Sequence, residues 1–248
     1  MNCNLLNFII IFKVLRNPIM KNIITVVVRL LVLASPLLLN DVYLPLVPKD
    51  ATKLNLVLDV LVYIGWQSTL LYVAYEAGWF SWSNLGINLK HAGQWLWGIV
   101  LFACVFAAYT GITIALLYAK KKYGITIESF WYFPLPKWSG VCVFLYVLYL
   151  SVTAGIYEEI IYRGIAIHQL KTLTSNTCIL VLASTLLFVA IHWSMGPGTW
   201  IEAGLWGALW AYLYIKTHSL LPIMIAHFLY DVASIYGLHE AIAHSIGL

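Results

Sequence analysis

The sequence predicts an all-α fold, a polytopic transmembrane helical bundle of about seven spans with a range of roughly six to eight. Three observations lead there. The 248 residues are 62% hydrophobic and only 10% charged, with a mean hydropathy of +0.87, whereas soluble domains carry about 25% charged residues. A soluble fold of this size could not hide so much apolar surface, so lipid must cover the remainder. Apolar runs of span length recur along the whole chain. Aromatic residues, with 11 Trp and 16 Tyr, gather near the ends of those runs, as at Trp79, Trp82, Trp95 and Trp138, where interfacial anchors belong.

Taken in order, residues 4–12 are apolar but are followed by Lys13, Arg16, Pro18 and Lys21. Residues 1–20 read as an N-terminal extension, either unstructured or upstream of a natural start at Met20-Lys21. Residues 21–248 read as a single transmembrane domain. Candidate spans lie at 22–39, 54–75, 93–118, 140–157, 177–194, 200–216 and 220–238. The stretch 140–170 is too long for one simple span, so it is either one long helix entering a polar interior or two helices with a break. Residues 124–138 carry Pro134 and Pro136 among Phe130, Trp131, Tyr132, Phe133 and Trp138. The prolines argue against a span, and the aromatics suit the headgroup region.

The net charge of +4 is modest and scattered, so nothing points to a nucleic-acid partner. The strongest basic cluster, Lys120-Lys121-Lys122, belongs in the cytoplasm, which leaves Lys13, Arg16 and Lys21 outside. Cys3, Cys104, Cys142 and Cys178 form no CxxC pair, and three of them sit in apolar runs. They read as small hydrophobes, with no disulfide framework and no zinc-thiolate site.

Ionisable residues inside apolar runs are costly and ask for an explanation. On a helix Glu159 and Arg163 are i,i+4 neighbours in the favourable order, and each lowers the cost of burying the other. Glu158 lies about 100° away and has no sequence-local cation. A carboxylate kept in an apolar site can serve as general base or acid. His192 closes an apolar run just before Gly196-Pro197-Gly198. His227 and Asp231 share a helix face, where the carboxylate can hold the imidazole's tautomer, accept its proton or join it in binding a metal. The cheapest burial brings these groups together around one wet cavity. Such a cavity supplies what amide hydrolysis needs: a base for water, a proton donor for the amine and donors for an oxyanion.

Three motifs carry a family resemblance. Residues 158–163 read EExxxR, 188–192 read FxxxH and 227–231 read HxxxD, in that order on successive hydrophobic segments. The set resembles the CPBP family, which comprises CAAX prenyl proteases and the bacteriocin-processing or self-immunity proteins also called Abi. The catalytic core would then span about 140–238, and Leu85-Gly86-Ile87 also resembles the family's approach to a core helix. The resemblance implies that Glu158 activates water, His192 assists it, and His227 and Asp231 stabilise the oxyanion or orient the scissile carbonyl. Glu159 and Arg163 would support them. The prenyl proteases have Asn where this chain has Asp231. Either a protonated Asp231 donates to the oxyanion, or it orients His227. No cofactor is firmly implied. The family is often labelled metalloprotease, and a divalent ion such as Zn would be held by Glu158, His192 and His227, although the glutamate-activated-water scheme needs no metal.

The expected partners are membrane lipids and a peptide or protein substrate, prenylated or not. Two other function classes share such buried polar groups: a non-catalytic membrane scaffold or bacteriocin self-immunity protein, and a transporter. Transport is disfavoured because no inverted repeat or paired broken helices can be read. Intact motifs favour the enzyme over the scaffold. Gly204, Gly207, Ala208 and Ala211 form a small-residue stripe suited to close helix packing, with the helix of His227 as the expected partner. Glu202 reads as a helix-dipole residue, and Asp59 and Arg29 as a possible buried pair. His168, Lys216 and His218 lie at span ends. The compact length and Ile- and Lys-bearing N-terminus suggest a prokaryotic plasma membrane. The sequence carries no signal for oligomeric state.

Overall fold

The computed structural model describes residues 17–43, 46, 52–129 and 135–247. Most of the N-terminal extension, with Cys3, Lys13 and Arg16, and the segment 130–134 lie outside the described residues. The described residues contain helices and turns and no strand.

Seven helical rods answer to the seven apolar segments. Helix α1 is Pro18–Tyr43, and α2 runs through Thr52–Asp59, a π-helical stretch Val60–Trp66, and Gln67–Glu76. A 3-10 turn Trp82–Leu85 leads to α3, Ala92–Tyr123. Helix α4 runs unbroken through Gly140–Glu158, a second π-helical stretch Glu159–Ile165, and Ala166–Leu170. Then come α5 (Thr177–Ala190), α6 (Gly196–Thr217), α7 (Leu221–Ile235) and the short α8 (Leu238–Ser245). Four of these, α1 to α4, are long and apolar enough to cross a membrane, and α7 with α8 qualifies as a pair bent by 56°. Exposed apolar side chains such as Leu96, Val141, Leu182 and Leu186 mark the surface that lipid covers. The chain is an integral membrane protein.

Local chemistry sets the ends. The Asn176 side chain accepts from the backbone N–H of Cys178 and Ile179, capping α5. Ser139 caps α4 through Cys142 N–H. Proline occupies the first turn of α6 and of α7, where its missing N–H costs nothing. Lys120–Lys122 fall in the last turn of α3, at the negative end of its dipole. The long stretch 140–170 therefore resolves as one helix, under-wound by a π stretch where the charges begin. The fifth segment is shorter than expected, ending at Ala190, so His192 lies on the turn beyond it. At 14 residues, α5 is about 21 Å long, too short for a hydrocarbon layer of about 30 Å.

Close approaches between helices need small residues. A Cβ on Gly155 of α4 would lie 3.1 Å from Met224 O and from Phe228 N of α7. A Cβ on Gly207 of α6 would lie 3.2 Å from Phe188 Cδ1 and 3.3 Å from Thr185 Cγ2 of α5. The small-residue stripe of α6 thus faces α5, not α7 as the sequence suggested. Helix α7 fills the groove between α3 and α4 instead. Gly86 ends the 3-10 turn at φ 69°, against the His218 carbonyl, where a side chain has no room.

Polar residues stitch the rods together. Gln67 Nε2 donates to Leu33 O at 3.2 Å, joining α2 to α1. Arg29 does not pair with Asp59; its Nη1 donates to Gln169 Oε1 at 3.0 Å and its guanidinium stacks 5.2 Å from the Trp79 ring. The two residues sit at different levels of the bundle, since Arg29 packs near the end of α4 and Asp59 faces Tyr146 and Tyr149.

Gly155→Val is expected to cost about 1–3 kcal/mol through overpacking at the α4–α7 crossing, read as a lower Tm in detergent. Gly111→Ala, with nothing within 4 Å of the added Cβ, leaves the Tm unchanged or slightly raised.

Candidate active site

The charged residues of α4 are buried to a degree that a headgroup position would not require. Glu159 and Arg163 are 0% exposed and Glu158 5%. Arg163 Nη1 meets Glu159 Oε1 at 3.0 Å, as the i,i+4 spacing predicts. The Phe188 ring lies 4.1 Å from the guanidinium carbon, a cation–π contact in an apolar setting. The π stretch Glu159–Ile165 widens the turn that carries both charges, and Ser184 of α5 donates to the Tyr162 carbonyl within it at 2.8 Å. Side chains that satisfy loosened backbone groups are what permits such a stretch in an apolar layer.

The same carboxylate reaches across to α7. His227 Nδ1 lies 2.7 Å from Glu159 Oε1. Glu159 is an acceptor already engaged by Arg163, so Nδ1 carries the proton and donates. Nε2 is thereby the nitrogen turned to the rest of the site, 3.9 Å from Glu158 Oε2 and 3.6 Å from Asp231 Oδ2. Both separations exceed a direct hydrogen bond, so the Nε2 edge meets the two carboxylates without bonding to either. Tyr63 of α2 hydrogen-bonds to the Glu158 side chain.

His192 stands on the turn after α5. Its Nδ1 lies 2.9 Å from Phe188 O, and Trp200 Nε1 donates to its backbone carbonyl at 2.9 Å. Phe188 packs edge-on against both imidazoles, with ring centroids 5.0 Å from His192 and 6.1 Å from His227. Its ring thus covers Arg163 and its carbonyl steers His192, a double role the sequence did not suggest.

Glu158, His192, His227 and Asp231 all line one cavity of about 650 Å³. Glu159 and Arg163 stand behind it, absent from its walls. The structure brings every motif residue together. Glu202 joins them unexpectedly. It lies in the second turn of α6, past the reach of the helix N-terminus, and accepts from Tyr109 Oη at 2.9 Å and from Tyr230 Oη. The helix-dipole reading of Glu202 is therefore corrected: it is a cavity residue. A charge in an apolar run without an i±4 cation was the available sequence signal. Tyr63 and Tyr109 gave none, because their roles arise from α2 and α3 crossing the motif helices. Among the described residues no three His, Cys, Asp or Glu side chains are grouped so as to hold a metal ion.

Residues 140–233 match the family model described as Rce1-like, type II CAAX prenyl endopeptidase Rce1-like. The matched stretch carries all three motifs. No curated protein and no solved structure matches the chain.

Removing one partner of a buried ion pair strands the other. Arg163→Met is expected to destabilise the protein by about 3–5 kcal/mol, measured by unfolding in detergent. The double replacement Arg163→Met with Glu159→Gln recovers part of that loss.

Proposed function

We propose that the chain is an intramembrane endopeptidase of the CAAX-protease type, cleaving peptide bonds of membrane-associated peptides or proteins with water activated by Glu158. The observation that carries this reading is the poise of His227. Its Nδ1 is committed to Glu159, and its Nε2 faces Glu158 and Asp231 across a gap at the wall of the cavity.

In the proposed reaction Glu158 takes a proton from water as the water oxygen bonds to the scissile carbonyl carbon. His192, which lines the same cavity, assists in holding that water. His227, as the doubly protonated imidazolium whose Nδ1–H is held by Glu159, donates its Nε2–H to the oxyanion, and Asp231 orients that edge of the ring. When the tetrahedral intermediate collapses, the C–N bond breaks and the proton held by Glu158 passes to the leaving amine. The products are a carboxylate and an amine, and Glu158 is regenerated. Glu159 and Arg163 act through His227: the Glu159 carboxylate holds Nδ1–H and so favours the protonated ring and its position, and Arg163 holds Glu159. Each step uses the chain's own side chains. Lipids surround the site, and the Ile- and Lys-bearing N-terminal stretch supports a prokaryotic plasma membrane as the setting.

The test is cleavage of fluorogenic peptides, with and without a prenyl group, by the purified protein in liposomes. Glu158→Gln and His227→Ala are expected to lower kcat/KM by about 10²–10⁴-fold without loss of fold, and a chelator to leave the rate unchanged. Wild-type cleavage by Glu158→Gln would overturn the mechanism.

A further inference from the structure

The cavity has a wall that the proposed reaction does not use. Asp59 of α2 lines it, is 2% exposed, and has an Oδ2 with no hydrogen-bond partner. Among the described residues no Lys, Arg or His lies within ion-pair distance of it. The other acids of the cavity near the motifs are matched: Glu158 by Tyr63 and His227, Asp231 by His227, and Glu202 by Tyr109 and Tyr230. Asp59 has the phenols of Tyr146 and Tyr149 near it, with Tyr149 hydrogen-bonding to its carboxyl, but no imidazole or cation among the described residues, and its Oδ2 is left over. One turn earlier, Asn55 Oδ1 is also buried without a donor.

The whole cavity shares this bias. Among its described lining residues are the carboxylates of Asp59, Glu158, Glu202, Asp231 and Glu240, against three imidazoles and the single ammonium of Lys120. Low-dielectric walls of one sign focus their field on whatever enters. A buried acceptor without a donor is costly until a donor arrives, and an ammonium or guanidinium meets that need together with the flanking aromatic rings.

We propose that Asp59 is a specificity residue that receives the cationic side chain of a Lys or Arg in the substrate peptide, close to the bond that is cut. The inference rests on the peptidase reading and names the substrate class. Its position follows from α2. Asp59 precedes Tyr63 by four residues, at most about 6 Å of helix rise since Val60–Trp66 is π-helical, and Tyr63 contacts Glu158. An extended peptide covers about 3.3–3.6 Å per residue. The basic residue therefore lies one or two positions from the scissile bond.

The test uses two fluorescent peptides identical but for lysine or norleucine at that position, bound to the full-length protein carrying Glu158→Gln. Binding is read by anisotropy in phosphatidylcholine bicelles, with and without phosphatidylethanolamine. The lysine peptide is expected to bind at least tenfold tighter than the norleucine peptide. Asp59→Asn brings the two within twofold while leaving norleucine binding unchanged, and Asp59→Glu restores the preference. Equal binding of the two peptides, or a preference that survives Asp59→Asn, overturns the proposal. So does a preference seen only without phosphatidylethanolamine, which assigns the acid to a lipid headgroup. Cleavage of the same pair by the wild-type chain separates the two readings. A lysine preference in binding with no cleavage of either peptide sinks the peptidase and leaves the Asp59 site standing. Cleavage of both at equal kcat/KM, with equal binding, does the reverse.

Discussion

A carboxylate and a guanidinium that are both shut away from water can persist in an apolar bundle only if each answers the other. Glu159 and Arg163 do so at 3.0 Å, one turn apart on α4. The rest of the site hangs on the fact that Glu159 answers twice. The oxygen that receives Arg163 also receives His227 from α7, so one buried atom fixes the relative placement of two helices and the protonation of an imidazole. The Phe188 ring over the guanidinium adds α5 to the same cluster. Three of the rods are thus referenced to a single ion pair, and the reactive edge of His227 is a by-product of that reference.

Helix lengths and small residues then decide what faces the cavity. Because α5 ends at Ala190, the following turn carries His192 to the level of the motif helices. Gly155 lets α7 lie against α4 closely enough for His227 to reach Glu159, and Gly207 lets α6 lie against α5. In lipid, where no hydrophobic effect drives helices together, close contact and interhelical hydrogen bonds carry association. The buried bonds from Gln67 to Leu33, from Ser184 to Tyr162 and from the tyrosines to Glu202 serve that end.

Legibility from the sequence followed range. The Glu159–Arg163 and His227–Asp231 relations are local, and a helical period of 3.6 was enough to place each pair on one face. The convergence of the three motif segments was legible because the local pairs left Glu158 and His192 with no partner in their own segments and the His227–Asp231 pair buried in an apolar run. What crosses between distant segments was not. Arg29 and Asp59 offered opposite charges but sit at different levels, and the sequence has no coordinate for depth. The small-residue stripe announced a close contact without naming its partner. Glu202 looks like a helix-start acid because the apolar run begins at residue 200. Pro197 moves that start back to Gly196 and carries Glu202 into the second turn.

The π stretch of α4 has a consequence for chain length. Such a stretch amounts to one residue inserted into an α-helix, so the five-residue steps that span it are absorbed as rotation, not as a bulge at the surface. Deleting any one of the residues Glu159–Ile165 would shorten the rod by only about 1.5 Å, yet turn the halves on either side by about 100° against each other. The face bearing Ser151, Gly155 and Glu158 would then look away from whatever Ala166 to Leu170 hold in place. In this helix one residue sets phase and not extent, and two chains differing by that residue would share nearly all their letters while presenting different walls to the same space.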